Sequence, residues 1–329
     1  MRLPPDTSYG VTFLELDQFI PGNVLYLEGH ELKTLDLQTK QTWLIAGSLT
    51  DKRYTEGTRE NARFNAPKSF YQRQPTEVIV LDTENGCLRK VSRLPNTTAE
   101  VTGWCGYTGD IDGSLTWADI GKPYKLAELE SDVIVFTDYY CKCIKKVSFI
   151  AEKVETLVRL TQSAHGLAKR PDSSDLVFSI GGGLGKVDLA TFDVVFLTQY
   201  STKGSEDGFF STTTFARNPE TLMFLDEDVT LDSEVHTHLI RVVQFLLLGL
   251  VSSICDPSSE GNFTRAGDIE TCRIRHPRSL LALPSNNSIL IGFHESIGYF
   301  EVTGLSAQFP STFLSFITTE GRAMTPQQK

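Results

Sequence analysis

One pattern of apolar and polar positions recurs six times along the chain: an apolar run, a short polar turn, then a run in which Lys, Arg or Asp interrupts apolar residues. The copies are residues 23–37 (NVLYLEGHELKTLDL), 77–91 (EVIVLDTENGCLRKV), 132–147 (DVIVFTDYYCKCIKKV), 175–189 (DLVFSIGGGLGKVDL), 221–243 and 287–302 (NSILIGFHESIGYFEV). The first run of each is rich in Val, Ile, Leu and Phe, side chains that suit the pleated backbone of a strand. The turns use Gly, Asn, Asp or Glu, and Asn85-Gly86 is the strongest hairpin signal among them. No segment sustains a 3.6-residue apolar period between helix caps, so the pattern predicts an all-β chain.

A second signature lies upstream of two hairpins. Gly57 is followed by Ala62, Phe64 and Pro67, and Gly113 by Ala118, Ile120 and Pro123, at identical spacing. Residues 274–277, ending in His276-Pro277, repeat its last part before the sixth hairpin. In the fourth and fifth copies, His165-Gly166-Leu167-Ala168 and Thr213-Thr214-Phe215-Ala216 are expected to take this place as inner strands. Outer strands follow the hairpins, as in residues 42–47 and 154–158. A unit of loop, inner strand, hairpin and outer strand cannot bury both of its faces alone. Packed in a ring, neighbouring units cover each other, which explains why the strands read as nearly continuous apolar runs. The expected fold is therefore a six-bladed β-propeller of four-stranded antiparallel blades over residues 10–319, with tails at 1–9 and 320–329.

The stretch Gly106-Tyr107-Thr108-Gly109-Asp110-Ile111-Asp112-Gly113, then Ala118, Ile120 and Pro123, then the strand ending in Asp138, closely resembles the NHL repeat. Gly57 through Asp82 to Val91 matches nearly as well, while the other four copies keep the hairpin and lose most of the loop motif. The resemblance implies a six-bladed propeller in which both termini close one blade, here residues 10–16 with 312–317. Independently of family, Gly106, Gly109 and Gly113 are expected to supply positive φ in a tight loop. Asp112 is expected to accept loop amides, and Pro123 to set the entry to the inner strand.

Composition fits one repeat-built domain. The chain has 329 residues, 40% hydrophobic and 22% charged, with a formal net charge of −10. That charge opposes nucleic-acid binding, and Arg89-Lys90, Lys145-Lys146 and Arg241 are scattered through the hairpins instead of forming one basic tract. Residues 242–251 form the longest apolar run, which is far short of the roughly 20 residues a membrane span needs, so no membrane insertion is expected. The opening MRLPPDTSYG has no apolar core of a leader. The six cysteines are even in number, and sequons begin at Asn96, Asn262 and Asn286 in expected loops. Together they favour an extracellular or cell-surface ectodomain over a cytoplasmic one. Cys255 with Cys272 is the preferred disulfide pair, while Cys105 is left open between Cys87, Cys141 and Cys143.

Propellers receive ligands at the mouth of the central channel or on the loops around it. The residue after each Pro-equivalent position should face that mouth: Lys68, Tyr124, His165, Thr213 and Arg278. This mixed, partly cationic ring suits an anionic or polar partner, with Lys68 and Arg278 as charged donors and Tyr124 as a stacking surface. Peptide-amidating lyases are similar in fold and hold zinc with three histidines from the channel strands. Here His165 stands alone among such positions, so neither a cofactor nor catalysis is expected. His236 and His238 are weak metal candidates, since alternate residues of a strand share a face but no third ligand is fixed by spacing. Gly181-Gly182-Gly183-Leu184-Gly185 leads into a strand and has no helix N-terminus to hold phosphate. The expected function is a binding module for a protein or glycan partner, with residues 226–238 and 251–275 as its most divergent loops. The alternatives are a metal-assisted lyase or hydrolase working through His165, and a nucleic-acid-binding propeller.

Overall fold

In the computed structural model the chain is built from antiparallel sheets arranged as a β-propeller. The structure describes residues 10–94, 97–199, 204–215, 219–245, 249–254, 274, 276–283, 288–293, 296–301, 313–318 and 323–324. The first sheet joins Val11–Leu16, Asn23–Glu28, Glu31–Asp36 and Thr42–Gly47. The second joins Ser69–Gln74, Glu77–Asp82, Cys87–Ser92 and Thr97–Thr102. Pro123–Glu130, Val133–Asp138, Cys143–Ser148 and Lys153–Arg159 make the third, with the short Gly113–Ser114 on its outer edge. The fourth holds Ala164–Lys169, Asp175–Ile180, Gly183–Asp188 and Val194–Phe196. The fifth holds Thr221–Phe224, Val229–Glu234, Leu239–Gln244 and Leu250–Ile254, edged by Gly208–Phe209. In the last, Ser279–Leu283, Ser288–Gly292, Ser296–Glu301 and Phe313–Thr318 pair in order, followed by Ala323–Met324.

The continuous apolar runs follow from this packing. Along Glu77–Asp82, Val78 and Val80 face the first sheet beside Leu25, Leu27 and Phe70. Ile79 and Leu81 face the third sheet beside Ile134 and Phe136. A strand covered on both faces needs apolar residues at every position, because successive side chains point to opposite sides. The same alternation links the third sheet to the fourth, the fourth to the fifth and the fifth to the last. A further cluster, Val11, Leu14, Val24 and Tyr26 with Leu283, Leu290 and Ile297, joins the last sheet to the first.

A second set of contacts runs around the axis. Thr12 donates to the carbonyl of Pro67, Thr83 to Pro123, Thr137 to His165, Ser179 to Pro219, Thr221 to Arg278 and Ser279 to Val11, at 2.6 to 3.3 Å. Each hydroxyl thus ties one sheet to the start of the next sheet's innermost strand. The innermost strands neighbour one another in the same cyclic order.

Two expectations about the chain's course need correction. The termini do not share a blade: Val11–Leu16 pairs with Asn23–Glu28, whereas Phe313–Thr318 pairs with Ser296–Glu301. The first and last sheets meet face to face, through the apolar cluster and the bond from Val11 N to the Phe293 carbonyl at 2.8 Å. The fifth repeat is also displaced by one strand. Thr221–Phe224 is its inner strand, not the first strand of its hairpin. Residues 229–234, expected as part of an acidic surface loop, are its buried second strand, with Asp232 and Glu234 inside. Of the other expectations, Cys255, Cys272, Asn96, Asn262 and Asn286 lie outside the described residues.

Candidate functional site

Five inner strands bring a chemically active side chain to one end of the channel. Lys68 directly precedes Ser69–Gln74, Glu220 precedes Thr221–Phe224 and Arg278 precedes Ser279–Leu283, while Tyr124 and His165 are second in their strands. Pro67, Pro123, Pro219 and Pro277 stand just before four of them, where a fixed φ sets the entry of the chain. The ladder between Pro123–Glu130 and its partner slips between Pro123 and Leu126. A bulge of this kind re-aims side chains, and here both Tyr124 and Lys125 contribute to the channel cluster.

The cluster is tightly connected. Lys68 Nζ lies 5.5 Å from the centre of the Tyr124 ring. The His165 ring meets Tyr124 edge-on at 4.9 Å and Tyr139 at 5.4 Å. Tyr124 donates its hydroxyl to Glu220 Oε1 at 3.3 Å. Lys125 Nζ donates to the Thr12 carbonyl at 2.6 Å and sits 5.3 Å from the Phe13 ring. Beneath these groups the channel holds a cavity of about 230 Å³, whose walls include Phe13, Leu126, Leu222, Met223 and Leu280.

Burial sets the protonation of the cluster. It pulls Lys125 down to about 7, against the attraction of Glu220 and with further lowering by Lys68 and Arg278. It also lowers Lys68, again opposed by Glu220. His165 falls to about 4 through burial, with Lys68, His236 and Lys125 adding to the effect, so its imidazole is neutral at physiological pH. Burial works to raise Glu220, but Lys68, Lys125, Arg278 and His165 outweigh it and hold the carboxyl below its usual range. Burial raises the Tyr124 phenol well above its ordinary value. The set is therefore three basic side chains around one carboxylate, inside a chain whose net charge is −10.

Among the described residues, three polar atoms in this cluster have no hydrogen-bond partner: His165 Nε2, Glu220 Oε2 and Arg278 Nε. Buried polar atoms are paired in most proteins, and these three lie together at one end of the inner strands. Arg278 and the two lysines are the donors of this cluster, and a negative charge beside Lys125 would favour its protonated form.

Lys68, Tyr124, His165 and Arg278 stand at the starts of inner strands; Thr213 does not. Its hydroxyl bonds the Glu206 carbonyl at 2.8 Å and accepts from Arg241 at 3.1 Å, inside the loop before the fifth sheet. Glu220 takes the channel position instead. The signal was present in the sequence: Gly208, Thr213 and Phe215 repeat the spacing of Gly57, Ala62 and Phe64. His236 and His238 lie in the turn after Val229–Glu234 and not on one strand face. The His238 ring packs against His276 at 4.3 Å and its Nδ1 accepts the His276 amide at 3.2 Å. Gly106 has the expected positive φ of 94°, whereas Gly109 and Gly113 do not. Gly109 is required for space, since a Cβ there would strike the Asp119 carboxylate. Asp112 accepts from the Thr156 amide at 2.8 Å and from Lys145, tying the loop to the outer strand.

Other clusters are already satisfied. Cys87 bonds Cys105, and Cys141 bonds Cys143. Asp110 lies beside the second pair, but both sulfurs are consumed and Asp110 is held by Lys145 and Arg159. Arg89, Lys145 and Arg241 are fully buried, so they offer nothing to a phosphate backbone. A larger cleft of about 490 Å³ between the fourth and fifth sheets is lined by Arg170, Lys186 and several Phe side chains. Its two charges are engaged by Asp228 and Asp175. Among the described residues no helix is long and apolar enough to cross a membrane.

Comparison with known proteins places the fold. No family model matches the chain, and no curated protein matches it in sequence. Among solved structures, an auxiliary nutrient binding protein from Bacteroides thetaiotaomicron aligns with a TM-score of 0.66 at 12% identity, over 88% of this chain and 69% of that one. A chain of a nidogen/laminin complex aligns at 0.57 and 11% identity, over 88% and 92%. Virginiamycin B lyase from Staphylococcus aureus also aligns at 0.57 and 11%, over 93% and 85%. At such identities the likeness is one of fold, and one propeller architecture serves both binding and catalysis.

Proposed function

We propose that this chain is a non-catalytic binding module, a six-bladed propeller of the NHL kind whose channel mouth receives an anionic group carried by a protein or glycan partner. The blade count is supported by the hydroxyl-to-carbonyl bonds that run from sheet to sheet and return from Ser279 to Val11. The NHL reading is supported by the loop spacing that Gly208, Thr213 and Phe215 share with Gly57, Ala62 and Phe64. An extracellular location belongs to the same reading, since disulfides persist in oxidising compartments and the chain holds Cys87–Cys105 and Cys141–Cys143.

The observation that carries the binding reading is the open bonding at the mouth, where His165 Nε2 and Arg278 Nε lack partners among the described residues, in a cluster with Lys68 and Lys125. The lyase alternative draws on His165 alone. The other channel positions are Lys68, Tyr124, Glu220 and Arg278, a set short of the three ligands and open position that zinc catalysis uses.

Calorimetric titration with carboxylated sugars and short acidic peptides tests the reading. Arg278→Gln should weaken binding by roughly tenfold or more, as loss of a charge-assisted hydrogen bond does. Affinity should fall as pH rises past about 7, because Lys125 is then neutral. Binding that ignores both the substitution and pH removes the reading. Stoichiometric zinc with an activity lost in His165→Ala would install the lyase in its place.

A further inference from the structure

A strip of neighbouring turns, joined through backbone contacts and carrying exposed aromatic residues, leads away from the channel mouth. It begins at Tyr139, whose ring packs on His165 and whose amide donates to the Lys122 carbonyl at 2.9 Å. Next is Tyr140, which lies so close over Gly121 that a Cβ there would strike its side chain. Gly121 adjoins Tyr107, since a Cβ on Gly86 would meet the carbonyls of both. Tyr107 in turn donates its amide to the Trp104 carbonyl at 2.9 Å. These rings are 46%, 55%, 69% and 57% exposed for Tyr139, Tyr140, Tyr107 and Trp104, so none of them fills a core.

The strip is held rigidly. The Cys87–Cys105 disulfide anchors the loop next to Trp104, and the Gly106 amide donates to the Asn85 carbonyl at 2.7 Å. A surface ordered before it binds loses little freedom on binding. Lys122, paired with Glu84 at 2.7 Å, lies beside it.

From this continuity we infer that the site takes an acidic oligosaccharide, with a uronic-acid carboxylate in the channel mouth and successive sugar rings stacked along Tyr139, Tyr140, Tyr107 and Trp104. The inference rests on the anion-binding reading of the mouth and extends it to a ligand class. Sugar rings present flat C–H faces that stack on aromatic rings, while their hydroxyls pair with carboxylates and ammonium groups beside them. A peptide strand is the poorer fit. The backbone under the strip is bonded within its own turns, as in Gly109 N to the Ile120 carbonyl at 3.3 Å, where a peptide binding by strand addition needs unpaired backbone groups. The charge at the mouth selects an acidic sugar over a neutral one.

The test uses trigalacturonic acid, galacturonic acid, neutral galactotriose and a tri-glutamate peptide on the full chain. The acidic trimer should bind roughly tenfold tighter than its monomer, as added stacking contacts provide. Tyr140→Ala and Trp104→Ala should bring the trimer down to the monomer's affinity and leave the monomer unchanged. Both rings are exposed, so unchanged thermal melting confirms intact folding. If the trimer binds no tighter than the monomer, or tri-glutamate equals it, the inference is overturned while the anion site stands. If galactotriose matches the acidic trimer and Arg278→Gln changes nothing, the anion site fails and the strip remains. Absence of binding by both acidic sugars overturns the inference.

Discussion

Lys125 shows how much one buried group is worth at the scale of a residue. Its ammonium has one described hydrogen bond, to the Thr12 carbonyl, and burial moves it from 10.5 to about 7. Between those two pH values the unfolded chain keeps a proton that the folded chain has released, so stability rises with pH across that window. Below pH 7 the full cost of burying the charge is present; above about 10.5 both states are neutral and it is gone. Lys125→Met should therefore stabilise the fold at pH 6 by an amount on the order of a few kcal/mol. The gain should shrink to nothing near pH 10.5, as melting temperature against pH will show. A gain independent of pH would mean the lysine is not held as described. At this scale the strand-start positions of Lys68, Tyr124, His165 and Arg278 were legible, because a proline or an apolar run marks each one. Lys125 was not, since a regular strand would send it to the opposite face from Tyr124 and only the bulge brings both to the cluster.

At the scale of elements, the loops before the second and fifth sheets hang on buried arginines. Arg89 donates to the carbonyls of Arg63 and Thr55, pairs with Asp82 at 3.2 Å and stacks on Phe64 at 4.9 Å. Arg241 repeats this with Thr214, Glu206, Glu234 and Phe215. Lys145 does the same work in the third sheet through Asp110 and Asp112. Removing one partner of a buried pair leaves the other charge uncompensated, at a cost of about 3–5 kcal/mol. Arg241→Met should accordingly raise amide exchange through residues 204–215 well above that of the first three sheets. Uniform exchange across the molecule would refute the anchor. The repeat's loop motif is therefore a device for docking a loop on a buried cation. The fifth copy hid it because Thr213 stands where the second and third copies have Ala, and because residues 226–238 look like an acidic surface loop. Asp232 and Glu234 are in fact sealed between sheets, which hydrophobic patterning alone counts as exposed.

For the whole molecule, the seam between the first and last sheets decides whether the sheets behave as one body. A Cβ on Gly292 would strike the Ser279 hydroxyl and come within 2.7 Å of Val11 Cγ1 and 2.9 Å of the Val11 carbonyl. Gly292→Ala should force the seam apart and lower stability by roughly 1–3 kcal/mol, the usual cost of overpacking. Gly113→Ala, which meets nothing nearer than 3.8 Å, should be close to neutral. Calorimetry of the pair checks the comparison, and equal melting temperatures would show that the seam carries no load. A ring sealed by packing and hydrogen bonds has every interface in series, so weakening one should shift the entire transition.

By itself the chain's pattern determined the all-β class, the repeated sheet unit and where most inner strands begin, because apolar runs, turn residues and prolines act over a few neighbouring positions. Only the tertiary structure decided the partners of the buried charges, the face-to-face closure in place of a shared blade and the displaced strand of the fifth repeat. Those features depend on which sheets lie side by side. A charge interrupting an apolar run reads alike in sequence whether water or a facing carbonyl satisfies it, and only proximity in space distinguishes the two.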